Sequence, residues 1–121
     1  MAAQAKRVVV NGTTYQVRCS YGQQRDYERQ YIALVAAVEA QEEDVDERLR
    51  AAMEHAVEEC VEAVEDGEGV ATEITEENYL TDIDGGDLQR LFLHIAGQHP
   101  HGVDVVGAVP FQSSLTPVSD S

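Results

Sequence analysis

Residues 25–66 read RDYERQYIALVAAVEAQEEDVDERLRAAMEHAVEECVEAVED, and this stretch sets the expected fold. Tyr27, Tyr31, Leu34, Val35 and Val38 recur at i, i+4, i+7, i+8 and i+11, and Leu49, Met53, Ala56, Val57, Cys60 and Val64 follow the same period. That spacing puts each set on one face of a helix. The turn between them, Gln41-Glu42-Glu43-Asp44, is short enough to pack the two helices antiparallel, stripe against stripe. The outer faces are almost wholly acidic. Asp44-Val45-Asp46-Glu47 resembles a helix start, and Gly67 is a natural stop. Glu62, Glu65 and Asp66 would then lie at the negative end of the second helix, where acids oppose the dipole. Either something other than local helix stability favours them, or they are simply tolerated.

Upstream, Val8-Val9-Val10 and Thr13-Thr14-Tyr15-Gln16-Val17 flank Asn11-Gly12, the favoured pair for a two-residue type I′ turn. The register predicts Val10 opposite Thr13, Val8 opposite Tyr15 and Lys6 opposite Val17. Val8, Val10, Tyr15 and Val17 then share one apolar face. A lone hairpin is marginal in water, so this face packs on the helices or pairs with another copy. Ser20 and Gln23 fit a capping box for the first helix. Downstream, Asp84 starts a third helix with Leu88, Leu91, Phe92 and Ile95 on its buried face, and Gly97 ends it. The expected fold is α+β and mainly α: an N-terminal β-hairpin, an antiparallel helix pair and a shorter third helix. One domain spans residues 1–97, and residues 98–121 form a mostly flexible tail. Within that tail, Val103 to Phe111 is apolar enough for a short strand or a partner-docking segment.

The formal charge is −15, unevenly spread. Residues 1–38 carry a net +3, residues 39–87 a net −17 and residues 88–121 a net −1. Nucleic acid and anionic membranes are disfavoured as partners, because both need clustered Lys and Arg. A basic partner is favoured, as is head-to-tail self-association of the basic start with the acidic middle of a neighbour. A plain solvated face accounts for the charge equally well. No apolar run is long enough to span a membrane, and the start lacks the apolar core of a signal peptide. Cys19 and Cys60 are expected to be reduced, buried thiols of a cytosolic protein.

No enzyme is expected. The chain has no phosphate-binding Gly-rich loop and no Ser/His/Asp or Cys/His nucleophile in a recognisable setting. Asp82-Ile83-Asp84-Gly85-Gly86-Asp87 departs from a calcium loop at its fifth, sixth and twelfth positions, so helix capping is the better account. His94, His99 and His101, with Asp104, are split between a helix end and a Pro-containing loop, which is a poor frame for a metal. Neither metal nor cofactor is assigned. The residues assigned to protein contact are Val8, Val10, Tyr15 and Val17 on the hairpin and Tyr27, Tyr31, Leu34 and Val38 on the first helix.

Asn11-Gly12-Thr13-Thr14-Tyr15-Gln16-Val17, then Gln24-Arg25-Asp26-Tyr27-Glu28, then Glu39-Ala40-Gln41-Glu42-Glu43 between two long helices, form a sequence of elements that resembles a known family. It is similar to the tail assembly chaperones of long-tailed bacteriophages, the lambda G-protein type, over roughly residues 8–95. The resemblance implies a non-enzymatic, oligomeric protein of the host cytoplasm. It would coat the helical tape measure protein and recruit tail tube protein, with no cofactor and no catalytic residue. Two other readings stay open. One is an acidic DNA-mimic inhibitor, using Glu54, Glu58, Glu62 and Glu65 along one helix face. The other is a structural virion connector or minor tail protein.

Overall fold

In the computed structural model, which describes residues 4–109, Asn11 and Gly12 both take positive φ, 50° and 87°. The chain reverses there, and strands β1 (Lys6–Val10) and β2 (Thr13–Val17) pair antiparallel. The register is the expected one, with Val8 opposite Tyr15 and Lys6 opposite Val17. The hairpin does not stand alone, however. It supplies two inner strands of a five-stranded antiparallel sheet ordered β4-β3-β2-β1-β5. The mainly helical fold expected from the sequence is therefore corrected. The molecule is a sheet with helices packed on it, not a hairpin attached to a helix pair.

Two segments make the difference. Helix α1 (Tyr21–Glu39) and helix α2 (Val45–Cys60) form as expected, but α2 stops six residues before Asp66. Strand β3 (Val61–Glu65) follows without an intervening loop. The Val61 amide still donates to the Val57 carbonyl, while its own φ and ψ, −89° and 116°, are already extended. Thr14 to Val17 offered an unpaired strand edge, and β3 takes it. This resolves the misplaced acids. In a strand there is no dipole to oppose. Glu62 pairs with Arg18 at 2.7 Å. Glu65 accepts from Arg7 Nε and Gln16 Nε2, both at 2.9 Å. Asp66 accepts from the Glu68 and Val70 amides and closes the turn into β4 (Ala71–Glu73).

The second segment is β5 (Val103–Ala108), which lies in the stretch expected to be a mostly flexible tail, where a short strand was one of the two readings of Val103 to Phe111. It pairs antiparallel with β1, with a bulge opposite the Arg7–Val8 step. The Asn11 amide donates to the Gly102 carbonyl and ties the start of β5 to the β1–β2 turn. The rest of that tail, residues 110–121, lies outside the described residues.

Ser20 caps α1 as expected. Its Oγ accepts from the Gln23 amide, and Gln23 Oε1 accepts from the Ser20 amide. A four-residue helix, α3 (Tyr79–Asp82), leads to α4 (Gly85–Ile95), whose N-cap Asp84 accepts from the Gly86 amide. Helix α2 packs against both α1 and α4. Beneath the helices, Val8, Val10, Tyr15 and Val17 meet Tyr27, Val57, Cys60, Leu91 and Phe92 in one core.

Candidate interaction surface

The eight residues assigned to protein contact divide cleanly. Val8, Val10, Tyr15 and Val17 are buried by the molecule's own helices. Both edges of their hairpin are already paired, β1 with β5 and β2 with β3. The hairpin packs internally and does not offer a strand to another copy. Tyr27 and Leu34 are also core residues, and Tyr31 is half-buried. Only Val38 is open to a partner.

Val38 is not isolated. The buried face of α1 consists of Tyr27, Leu34 and Ala37. The rotation this imposes leaves Ile32, Val35 and Val38 outside, 59 %, 38 % and 56 % exposed. Their i, i+3, i+6 spacing draws a slanted apolar ridge along the helix. Ile32 was missed in the sequence reading because it lies off the stripe that begins at Tyr27. Its signal was the second apolar row, three residues apart, in a helix wider in apolar residues than one buried face requires.

Acids surround the C-terminal end of the ridge, while the exposed Arg29 continues its row at the N-terminal end. Glu39, Glu42 and Glu43 are exposed around the C-terminal end of α1, and Glu28 is half-buried one turn before Ile32. Glu42 is joined to Arg48 at 2.6 Å, which ties the α1–α2 turn to the first turns of α2. Gln41 holds that turn at φ +58°. The Glu42 amide donates to the Ala37 carbonyl, so the end of α1 is closed despite a non-glycine residue in the left-handed position. On the inner side of α1, a shallow groove of about 360 Å³ runs against α2 over Ala33, Leu34, Ala51 and Ala52.

The other candidates fare as follows. The DNA-mimic row is broken: Glu54 and Glu58 stay on α2, but Glu62 and Glu65 lie on β3 and are paired with arginines. The Asp82–Asp87 segment serves helix structure, with Asp84 as cap and Asp87 buried. Asp87 Oδ2 accepts from the Tyr15 hydroxyl at 2.6 Å. Among the described residues no group of His, Cys, Asp and Glu is placed to hold a metal ion. His101 contributes its carbonyl to Arg90, while His94 and His99 line a different cavity, with Lys6. Cys19 and Cys60 are free thiols. The Cys60 thiol beside it holds Cys19 below its ordinary pKa, and the same contact, with burial, pushes Cys60 up. No helix of the described residues is long and apolar enough to cross a membrane.

Comparison with protein families, curated proteins and solved structures finds no match.

Proposed function

We propose that the chain is a non-enzymatic assembly chaperone that holds a helical partner along α1. The observation that supports this is the exposed Ile32–Val35–Val38 ridge with acids around its C-terminal end. A ridge of this width fits the apolar stripe of another helix, and the acids favour lysines and arginines flanking that stripe. By resemblance of the sequence, the partner is a phage tape measure protein, and tail tube protein is the subunit delivered to it.

The size of the ridge bears on how it would work. Covering three half-exposed aliphatic side chains is worth about 3 kcal/mol before any association cost. One copy alone would bind too weakly to persist. Several copies along one long helix would bind through multivalency and leave one at a time as tube subunits arrive. That is the behaviour an assembly chaperone needs.

The test is co-expression with the tape measure protein, followed by light scattering. The parent chain is expected to yield a soluble complex of several copies on one partner. The double variant Ile32→Glu, Val38→Glu is expected to keep its helical circular dichroism and leave the partner insoluble. A parent chain that stays monomeric and ignores the partner would overturn the proposal.

A further inference from the structure

The single lysine of the sequence, Lys6, stands with His94 and His99 on the wall of a cavity of about 410 Å³. The volume lies within the range of small-molecule sites. Four parts of the fold meet there. Lys6 comes from β1, Gln24 from α1, His94 from α4, and Val103 and Val105 from β5. The closing of the sheet by β5 is what creates the cavity.

Its composition runs against that of the chain. In a protein of net charge −15, three basic side chains converge here, and among the described residues Asp104 is the only carboxylate on the wall. Among the described residues, Lys6, His94 and His99 have no hydrogen bond or ion pair with a carboxylate. Burial, then the charges of Lys6 and His99, lower the proton affinity of His94. Lys6 is thus the standing cation of the cavity, with Asp104 and the Cys19 thiol on the same wall. Gln24 adds a neutral amide, while Gln4 Nε2 donates to the Val109 carbonyl. Val17, Ile95, Val103 and Val105 give the wall its apolar part, and Cys19, Gly97, Pro100 and Asp104 complete it.

We infer that this cavity binds a small organic carboxylate. Its oxyanion is held by Lys6 in a charge-assisted hydrogen bond and by ring N–H donors of His94 and His99, and its short apolar body lies against Val17, Ile95 and Val105. The inference is independent of the ridge on α1.

The probe is 4-methylpentanoate, with the uncharged 4-methylpentanamide as its isostere, at constant ionic strength. Imidazole resonances are followed by NMR. The carboxylate is expected to shift His94 and His99 saturably and to leave His55, on α2, unmoved. The amide is expected to bind at least tenfold more weakly. Lys6→Gln and His99→Gln, both at exposed positions, are each expected to weaken the carboxylate about tenfold with circular dichroism unchanged. Equal shifts at His55, equal binding of the amide, or unchanged binding by both variants would overturn the inference.

Discussion

Tyr15 carries two jobs at one position. Its ring is core, and its hydroxyl donates to Asp87, a buried carboxylate at the start of α4. Burial, then the bond to Asp87, pushes the Tyr15 hydroxyl above its ordinary range. A hydrogen bond to a charged group contributes about 1.5–3 kcal/mol, and a buried carboxylate left without its donor costs more than the bond is worth. Tyr15→Phe is therefore expected to lower the unfolding free energy in urea by about 2–3 kcal/mol. Adding Asp87→Leu removes the orphaned charge and is expected to recover most of that loss. A double variant as unstable as the sum of the singles would show that the pair is not coupled. Val10 illustrates the same scale differently. It is fully buried under the helices, so a lysine there would unfold the chain and would report nothing about self-association.

At the scale of elements, β5 makes the sharpest prediction. A chain ending at Gly102 loses the outer partner of β1 and uncovers the edge beside Val8 and Val10. It is expected to lose roughly 2 kcal/mol or more, from exposed apolar area alone, and to aggregate through the freed edge. A truly flexible tail would be removable without cost, and urea titration separates the two cases. The sequence made the local elements legible. Asn11-Gly12 gave the hairpin and its register, Ser20 with Gln23 gave the start of α1, and Asp84 gave the start of α4. It left undecided the elements that depend on a distant partner. Val61 to Glu65 continues the helical stripe through Val64 and also suits a strand, and only the waiting edge of β2 decides between them. Val103 to Ala108 lacks a clean alternation, and its partner β1 is nearly the whole chain away. The three acids that fitted the helix badly were the readable sign that α2 ends early. The open part of the candidate surface was half-legible for a related reason. The period showed that α1 has an apolar face, but not how far the sheet would rotate it.

At the scale of the whole molecule, charge and burial set opposing limits on pH. His94 is held below its ordinary value of 6.5, by burial first and then by Lys6 and His99. A histidine with a depressed folded pKa stays neutral in the fold while the unfolded chain takes up a proton. Its contribution is complete above about pH 6.5 and is lost as the pH falls from there towards the folded value. Tyr15 and Tyr27 are raised, so their contributions are complete below about pH 10 and fade as the pH climbs beyond it. Protonating carboxylates relieves the self-repulsion of a −15 chain, so the histidine effect must be isolated by difference. Between pH 7 and pH 5 the urea midpoint of the parent is expected to fall relative to that of His94→Gln. Parallel curves for the two proteins would refute the assignment.

Helix α2 ends at Cys60 and β3 begins at Val61. Without a loop, this junction has no hinge. A push on the far end of α2, where the α1–α2 turn lies, becomes a torque on an inner strand of the sheet. The helix pair is anchored twice, at this root and by the packing of α2 on α4. A partner laid along α1 would spend little of its binding energy on ordering its seat.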